Sequence, residues 1–247
     1  MTIIVITGGS RGLGAAAARA CARRGMGVVL TYNASPKSAE SVVDDITADG
    51  NTAVALPLDV ADVASFGEFR DLLQATLRTT WNREDFDGLV NNAGYGLYAP
   101  ITEVTEAQFD ALFAVHLKGP FFLTQALLPL LADGGHIVNM ASATSRVATS
   151  GVAPYASFKG GLEVLTRYQA KEFGDRAIRA NAIAPGPIRT ELGGGLTDEF
   201  EAMLAAQTAL GRVGEPDEVG TMVASLLSAD NQWINAQTIE VAGGYVI

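Results

Sequence analysis

The sequence predicts a single-domain α/β protein, and three observations support this. Helix-like and strand-like patterns alternate from one end of the chain to the other. A glycine-rich turn, TGGSRGLG at residues 7–14, joins the first predicted strand to the first predicted helix. The 247 residues contain no linker, repeat or low-complexity tract, so residues 1–247 are expected to form one domain.

The elements of the first half follow from apolar runs and the residues that bound them. The predicted strands cover residues 2–7, 27–32, 52–58 and 88–90. The predicted helices cover residues 15–24, 36–49 and 62–80, and the first ends before Gly25.

The second half continues the alternation. A helical stretch over 105–131 should bend or break, because Gly119-Pro120 and Pro129 interrupt it and a proline inside a helix costs about 3 kcal/mol. The remaining predicted strands cover residues 136–140, 178–184 and 237–241. The remaining helices begin near Tyr155 or cover about 197–206 and 216–227.

Composition argues against several classes of protein. The net charge of −10, from 17 basic and 27 acidic residues, argues against a nucleic-acid-binding protein, which needs a basic surface. The longest apolar runs are interrupted well short of the roughly 18 residues that indicate a membrane span. The N-terminal MTIIVITGG lacks the basic start of a signal peptide, so a cytoplasmic location is expected.

Cysteine and histidine are too few for a disulfide or a typical metal site. Cys21 is the single cysteine, and its alanine-rich helical surroundings favour a buried packing role. The two histidines, His116 and His136, lie far apart in the sequence, so no metal site is predicted. His136 begins a predicted strand and is interpreted as structural.

The glycine-rich turn predicts a phosphate-binding site. Gly8, Gly12 and Gly14 are spaced G-x-x-x-G-x-G between a strand and a helix. Glycines let the backbone approach a pyrophosphate, and the helix N-terminus directs free N–H groups at the anion. The alternative is a glycine-rich turn that binds no ligand. The context favours a dinucleotide cofactor.

The end of the second predicted strand favours NADP over NAD. An acidic residue there would bind the ribose hydroxyls of NAD, but the chain has Tyr32 and Asn33. Arg11, inside the glycine turn, could pair with a 2′-phosphate, and Lys37 is a weaker candidate. The alternative for Arg11 is an ordinary exposed arginine.

Two more segments follow predicted strands and could contact a cofactor. Asp59 could cap the next helix or bind the adenine amino group, and the sequence leaves both open. The segment NNAG at 91–94 suits a close approach of backbone to cofactor, although asparagine and glycine also favour plain turns.

The segment SATSRVATSGVAPYASFK, residues 142–159, holds the candidate catalytic residues. Tyr155 and Lys159 are four residues apart in a predicted helix, so they share one face. The lysine is expected to lower the pKa of the phenol from about 10. Ser142 could hold the substrate oxygen that Tyr155 protonates. Taken singly, Tyr155 could be a packing residue, Ser142 a helix cap, and Lys159 the partner of Glu163 in a surface ion pair.

These motifs together resemble the short-chain dehydrogenase/reductase family, and the resemblance covers essentially the whole chain. It rests on TGGSRGLG, NNAG, Ser142 with YASFK at 155–159, and PGPIRT at 185–190, in the order and spacing of the family. The later GRVGEPDEV and IEVAGG resemble the subgroup of 3-oxoacyl-carrier-protein reductases and carbonyl reductases. The resemblance implies a doubly wound Rossmann fold, a seven-stranded parallel sheet with helices on both faces.

The resemblance also implies a role for each motif residue. Tyr155 would be the general acid in reduction and the base in oxidation, and Ser142 would polarise the carbonyl. Lys159 would bind the nicotinamide ribose and depress the pKa of Tyr155. The implied NADP(H)-binding residues are Gly8, Ser10, Arg11, Gly12, Leu13, Gly14, Tyr32, Asn33, Asp59, Val60, Asn91, Ala93, Gly94, Tyr155, Lys159, Pro185, Gly186, Ile188 and Thr190.

One position departs from the family pattern. The family usually has an asparagine in a run such as VNLKG, whereas this chain has VHLKG with His116 in that place. The asparagine holds a water that links the lysine to solvent. His116 could serve the same relay as a catalytic residue with a different pH profile, because histidine titrates near neutral pH. The alternative is a hydrogen-bonded helix residue.

Residues 184–192, APGPIRTEL, form a rigid turn that precedes a predicted substrate flap over about 189–212. Three glycines at 193–195 and the later LGRVG would act as hinges, and flaps of this kind often close over substrate. The walls of the substrate pocket are expected at 94–97, at 143–152 and in this flap.

The sequence therefore predicts an NADP(H)-dependent oxidoreductase that interconverts a small-molecule ketone and a secondary alcohol. A non-catalytic NADP-binding regulator on the same fold is the alternative, but it would be expected to lose one of Ser142, Tyr155 and Lys159. A sugar epimerase or dehydratase would need an added substrate domain. The resemblance implies a homotetramer, and the apolar ending Tyr245-Val246-Ile247 would suit burial against a partner.

Overall fold

A computed structural model describes all 247 residues, and its centre is a parallel sheet of seven strands. The strands are β1 (Ile3–Ile6), β2 (Gly27–Tyr32), β3 (Ala53–Pro57), β4 (Phe86–Asn91), β5 (Leu131–Met140), β6 (Arg179–Pro185) and β7 (Thr238–Val241). Their order across the sheet is β3-β2-β1-β4-β5-β6-β7, with every neighbouring pair parallel. This confirms the predicted fold class.

Helices cover both faces of the sheet. They are α1 (Gly12–Arg23), α2 (Pro36–Ala48), α3 (Phe66–Trp81), α4 (Glu106–Phe113), α5 (Gly119–Leu127), α6 (Ala153–Glu172), α7 (Asp198–Ala206) and α8 (Pro216–Leu226). Residues of α1, α2 and α8 form one core with the sheet, and residues of α3, α5 and α6 form the other. The fully buried strand β1 contributes side chains to both cores, because successive side chains of a strand point to opposite faces of the sheet.

The strand order places a crevice between β1 and β4. The chain runs outward from β1 through β2 to β3, then returns to β4 and runs outward on the other side to β7. The two loops that leave β1 and β4 therefore diverge above the sheet. Ligands of open α/β sheets bind at such a switch point, beyond the carboxyl ends of the strands.

The long helical stretch differs from the prediction at Gly119-Pro120. The helix does not break there: it continues from Glu106 to Leu130, with a π-helical turn over Ala114–Lys118 and a 3₁₀ turn over Leu128–Leu130. Pro120 has no N–H to donate to the preceding turn. A π-helical turn is one way for a helix to accommodate the missing hydrogen bond without breaking. Pro129 lies in the 3₁₀ turn that ends the stretch, as the sequence predicts.

The same stretch is the one segment long and apolar enough to cross a membrane by length and composition, with a mean hydropathy of 1.3. Leu123 and Leu127 of α5 are buried in the core shared with α3 and the sheet. The stretch is thus a flanking helix of the fold.

The C-terminal segment folds back along the end of the predicted flap. The amides of Ala209 and Leu210 donate to the carbonyls of Gly244 and Gly243, and the amide of Val246 donates to Gln207. The guanidinium of Arg146 donates to the carbonyl oxygens of Tyr245 and Val246, at 2.9 and 3.0 Å. The last residues are therefore bonded both to the flap and to the loop that follows β5.

Candidate active site

A cleft of about 1120 Å³ lies at the carboxyl ends of β1, β4, β5 and β6. All of the residues predicted as catalytic or cofactor-binding line it, with the exception of Asn91. Most of these residues meet there because they follow the ends of parallel strands, whereas Tyr155 and Lys159 lie in α6 and His116 lies in the π-helical turn. A second, shallower hollow of about 520 Å³ adjoins the glycine turn and includes Lys37.

The side chain of Asn91, which was predicted to contact a cofactor, does not line the cleft. Asn91 is buried, and its amide donates to Asn139 at 2.8 Å and to Thr124 at 3.2 Å. These partners lie beneath the cleft, so the Asn91 side chain belongs to the core. The next residue, Asn92, lines the cleft instead.

Asn92 and Thr7 form hydrogen bonds that fix the glycine turn on the strand ends. The sequence did not predict this role for either residue. The amide of Asn92 donates to the carbonyls of Thr7 and Gly8 at 2.8 and 3.1 Å. The hydroxyl of Thr7 accepts from the backbone amides of Asn92 and Ala93. The NNAG motif thus braces the turn, and the doubled asparagine was the signal that could have indicated it.

The glycine turn, here called the glycine cradle, needs glycine where a larger residue would be strained or would collide with its neighbours. Gly8 and Gly12 have φ angles of +65° and +54°, which favour glycine. A Cβ atom at Gly8 would lie 2.8 Å from the Cα of Ala93, and one at Gly14 would lie 2.5 Å from the Asn92 amide nitrogen. Glycine at these two positions therefore lets the turn pack closely against Asn92 and Ala93.

The start of α1 suits an anionic group. No side chain caps this helix, and no acidic residue lies in its first turn. Its first N–H groups therefore face the cleft without a protein acceptor from a capping side chain, as a pyrophosphate site requires. The residues present fit a dinucleotide.

The adenosine end of the cleft carries the residues expected there. Tyr32 and Asn33 line the cleft at the end of β2. The Arg11 side chain is 71% exposed and only loosely paired with Glu191, at 3.8 Å. Asp59 lines the cleft, and its carboxylate accepts from the amide of Ala61 at 2.9 Å. Asp59 does not cap the next helix, because the N-cap of the 3₁₀ turn Val63–Ser65 before α3 is Asp62.

Ser142 is held by its own loop. It follows β5, is buried, and its hydroxyl oxygen accepts from the backbone amide of Thr144 at 3.2 Å and from the Thr144 hydroxyl at 2.9 Å. Ser142 also lies close enough to Tyr155 to lower the pKa of the phenol in part. The two hydroxyls therefore share one point of the cleft where a substrate oxygen could bind.

Lys159 lies one helical turn from Tyr155, but its ammonium is directed elsewhere. It is 4% exposed, and it donates to the carbonyl oxygen of Met140 at 2.5 Å. The nitrogen is 5.5 Å from the centroid of the Tyr155 ring. Burial lowers the pKa of Lys159 to about 8.

The expected depression of the Tyr155 pKa is wrong for this structure. Burial raises the pKa of Tyr155 to about 12, and the hydrogen bond from Ser142 lowers it only in part. The phenol therefore keeps its proton at neutral pH. The cation stabilises the phenolate too little to offset its loss of hydration, because its hydrogen bond goes to Met140.

His116 packs against Tyr155 at the back of the cleft. The two rings meet edge to face with centroids 5.0 Å apart. The Nε2 atom lies 2.8 Å from the carbonyl oxygen of Tyr95, so this nitrogen carries the proton and donates. The Nδ1 atom is buried without a partner. A Cβ at Gly94 would lie 2.6 Å from the imidazole, so glycine there makes room for the ring.

The structure corrects the expectation that His116 titrates near neutral pH. Burial and the charge of Lys159 lower the pKa of His116 to about 3. The ring is therefore neutral under ordinary conditions, and its Nδ1 can accept but not donate.

His136 has the structural role that the sequence indicated. Its Nδ1 bonds to the carbonyl of Leu226 at 2.9 Å, and its Nε2 to the amide of Asn181 at 2.8 Å. Burial lowers its pKa to about 3, and it does not line the cleft.

The wider part of the cleft is largely apolar. The walls include segments predicted as pocket walls, namely 94–97, part of 143–152 and the flap. Tyr98 and Tyr245 also line it and were not predicted. Tyr245 comes from the far end of the chain, and no local signal in the sequence indicates its position.

Backbone hydrogen bonds join the two ends of the flap. The amide of Arg189 donates to the carbonyl of Gly214, and the amide of Gly214 donates to Pro187, each at 2.9 Å. Gly193, Gly194 and Gly195 follow with φ angles of +70°, +102° and +88°. The pinned base and the three consecutive glycines fit a hinge.

Comparison with known proteins agrees with this geometry. A family model described as enoyl-(acyl carrier protein) reductase matches residues 8–246, and an uncharacterized oxidoreductase of Methylorubrum extorquens is 38% identical over 245 residues, covering 98% of this chain and 96% of the relative. The chain belongs to the short-chain dehydrogenase/reductase family.

Two other proteins that are similar to this chain carry more specific names. A hydroxynaphthalene reductase-like protein, Arp2, of Metarhizium brunneum is 36% identical over 260 residues, covering 99% of this chain and 94% of the relative. The crystal structure of the angucycline C-6 ketoreductase LanV with bound NADP is 31% identical, with a TM-score of 0.95, covering 99% of this chain and 95% of that one. Short-chain dehydrogenases/reductases are oxidoreductases, and this chain keeps Ser142, Tyr155 and Lys159 together in its cleft.

Proposed function

We propose that this protein is an NADP(H)-dependent reductase that converts a ketone to a secondary alcohol, with Tyr155 as the general acid. One observation carries the proposal: Ser142, Tyr155 and the buried Lys159 line the same cleft as the glycine cradle, with the Lys159 nitrogen 5.5 Å from the centroid of the Tyr155 ring. A carbonyl oxygen placed at the two hydroxyls would accept hydrogen bonds from both.

The cofactor proposal rests on the residues at the end of β2. Tyr32 and Asn33 offer no carboxylate to repel a 2′-phosphate, and the exposed guanidinium of Arg11 can pair with one. The NADP bound to the related angucycline ketoreductase supports the same choice. The start of α1 would hold the pyrophosphate, and Ile188 and Thr190 would hold the carboxamide.

The chain's own residues would manage the proton and the developing charge. Bound NADPH would supply the hydride that reaches the carbonyl carbon. Tyr155 gives its proton to the carbonyl oxygen, and its raised pKa keeps that proton in place beforehand. Ser142 donates to the same oxygen and stabilises negative charge as it develops. The positive charge of Lys159 reduces the cost of the phenolate that Tyr155 becomes.

His116 is proposed to act as a fixed acceptor. Its Nε2–H is occupied by the Tyr95 carbonyl, and its neutral Nδ1 can accept a hydrogen bond from a water that leads to Lys159. The water relay predicted from the sequence is therefore kept. The imidazole takes part only as a hydrogen-bond acceptor and is not itself protonated.

We propose a fused-ring aromatic ketone as the substrate class. Tyr95, Tyr98 and Tyr245 line the apolar part of the cleft, and aromatic faces stack well on flat rings. The names of the hydroxynaphthalene reductase-like relative and the angucycline ketoreductase support this choice. The flap over about 189–212 would close on such a substrate through its glycine hinge.

The test is NADPH consumption by the purified protein with a panel of fused-ring and aliphatic ketones, followed by identification of the product. Reduction of a fused-ring ketone to its alcohol supports the proposal. An α,β-unsaturated ketone in the panel separates carbonyl reduction from the alkene reduction that the family-model description names. Tight NADPH binding without turnover of any ketone would favour the regulator instead.

We also propose the homotetramer that the resemblance implies. Phe109, Phe113 and Phe121 are large apolar side chains of α4 and α5 left at least 38% exposed, and Ile247 is 94% exposed. Burial of such side chains against other copies would remove them from water. Light scattering at the elution peak measures the mass. A monomer at micromolar concentration would contradict the proposal. The cytoplasmic location stays a prediction.

A further inference from the structure

We propose that Thr144 is a positioning residue that commits the hydroxyl of Ser142 to donate its proton toward Tyr155 and the substrate oxygen. The inference rests on the proposed function and deepens it, because it adds a residue that acts through Ser142. No motif of the sequence singles out Thr144.

The geometry places two donors of one residue on one oxygen. The backbone amide of Thr144 donates to the Ser142 Oγ at 3.2 Å, and the Thr144 hydroxyl donates to the same atom at 2.9 Å. The turn that makes this possible is the 3₁₀ turn Ala143–Ser145, which Ser142 caps. Thr144 also lines the cleft, next to the point where Ser142 and Tyr155 meet.

The number of lone pairs on a hydroxyl gives this arrangement a direction. A serine hydroxyl has one proton to donate and two lone pairs that can accept. In this proposal the Thr144 hydroxyl is the donor of the 2.9 Å contact, because the backbone amide of Thr144 already donates to the same oxygen. Both lone pairs of Ser142 are then used by Thr144, and Ser142 has no acceptor site left for the phenol of Tyr155. In the empty cleft, a hydrogen bond between Ser142 and Tyr155 then runs from serine to tyrosine, and the one serine proton turns to the substrate oxygen when a ketone is bound.

This direction has a chemical consequence for the reaction. If Ser142 accepted from Tyr155, the phenol proton would be held by serine and would have to leave that bond before it reached the substrate. With Ser142 as the donor, the phenol proton stays free for the carbonyl oxygen. Donation by Thr144 also polarises the Ser142 hydroxyl and makes it a stronger donor, since chains of hydrogen bonds reinforce one another.

A neighbouring residue offers a matched control. The hydroxyl of Ser145 lies on the same turn and bonds to the Ser142 carbonyl oxygen at 2.7 Å and to the carboxylate of Glu163, and it does not touch the Ser142 hydroxyl. Ser145→Ala therefore loosens the turn without removing a donor from Ser142 Oγ. Any effect of Thr144→Val that comes from loosening alone should also occur in Ser145→Ala.

The experiment compares wild type, Thr144→Val, Thr144→Ser and Ser145→Ala with a ketone that the wild type reduces and with the matching alcohol. Thr144→Val removes the hydroxyl at nearly constant shape and keeps the backbone amide. We expect kcat to fall by about 10-fold or more, with KM little changed, because a donor to the developing oxyanion is weakened. In the pH profile of alcohol oxidation, the rise of the rate with pH should move to higher pH, since a weaker Ser142 donor stabilises the Tyr155 phenolate less. Thr144→Ser should restore both values.

The other outcomes overturn the proposal in distinguishable ways. A raised KM with unchanged kcat and pH limb would make Thr144 a substrate-contact residue. The same pH shift in Ser145→Ala would make the effect structural. Unchanged kinetics in Thr144→Val, with folding checked by thermal melting and NADPH binding, would remove Thr144 from the mechanism while leaving the ketone reductase intact. A wild type that reduces no ketone would overturn the proposed function and this inference together.

Discussion

The ammonium of Lys159 lies over the ring of Tyr155, 5.5 Å from its centroid, and not at its hydroxyl. Burial acts on the two groups in opposite directions, because it disfavours the charged form of each. It raises the pKa of Tyr155 to about 12 and lowers the pKa of Lys159 to about 8. At neutral pH the phenol is thus protonated and the ammonium charged, which is the pairing that a general acid for carbonyl reduction needs.

Tyr155→Phe is expected to lower kcat for ketone reduction by about 10²–10⁴-fold, the range typical of a lost general acid. NADPH binding should be largely retained, since the ring remains. Stopped-flow or steady-state kinetics and fluorescence titration of NADPH measure the two effects. Tyr168→Phe, an exposed tyrosine on the same helix, is the control and should match wild type. An active Tyr155→Phe variant would remove the phenol from the mechanism.

The rate of reduction should decline as the pH rises through about 8. Lys159 has its pKa lowered to about 8, so its positive charge is present below that pH and is lost above it. Tyr155 stays protonated until a much higher pH and does not cause this limb. In Lys159→Arg the limb should vanish, because guanidinium keeps its charge. A profile that is flat to pH 10 in the wild type would show that this charge is not needed.

Lys159→Met should raise the free energy of unfolding at pH 7 by about 2 kcal/mol, because replacing a buried charge by an apolar side chain often stabilises a protein. The pKa of the folded form is lowered to about 8, so the unfolded chain binds more protons between about pH 8 and 10. Wild-type stability should therefore rise over that window and approach the variant. Urea denaturation at pH 7 and pH 9.5 tests this, with the exposed Lys171→Met as the control. Equal stability at both pH values would contradict it.

Tyr32→Asp should shift cofactor preference from NADPH towards NADH. A carboxylate at the end of β2 would repel the 2′-phosphate and accept from free ribose hydroxyls. The ratio of kcat/KM for the two cofactors should fall by about 10-fold or more, which corresponds to about 1.4 kcal/mol. Tyr32→Phe adds no charge and should keep the wild-type ratio. An unchanged ratio in Tyr32→Asp would mean that the phosphate is bound elsewhere.

His116→Asn should retain activity and leave the pH profile between about pH 5 and 8 unchanged. The imidazole, with its pKa lowered to about 3, is neutral over this whole range, as an amide is. This reverses the expectation from the sequence, which gave histidine its ordinary pKa. Steady-state profiles of both proteins provide the comparison. A limb near pH 6 that is present in the wild type and missing from the variant would show that His116 does titrate.

The site was predictable where function depends on residues close together in the sequence. The glycine turn, and Tyr155 with Lys159 one helical turn later, keep their spatial relation in any strand–turn–helix or helix. Ser142 could be placed because it follows a strand, and the carboxyl ends of parallel strands meet at one edge of the sheet.

Other features depend on distances that the sequence does not contain. Asn91 pairs with Asn139 across β4 and β5, and this register directs its side chain into the core and leaves the cleft to Asn92. The pKa values of Tyr155 and His116 depend on burial, which tertiary packing determines. Tyr245 reaches the cleft only because the C-terminal segment folds back on the flap.

The bonds from Arg146 to the last carbonyls have a practical meaning for protein production. An affinity tag fused after Ile247 would extend from a segment that is bonded to the flap and contributes Tyr245 to the cleft. Met1 is 68% exposed and precedes the amino end of β1, at the opposite edge of the sheet. Purification handles and immobilisation chemistry therefore belong at the N-terminus, where they leave the mouth of the enzyme clear.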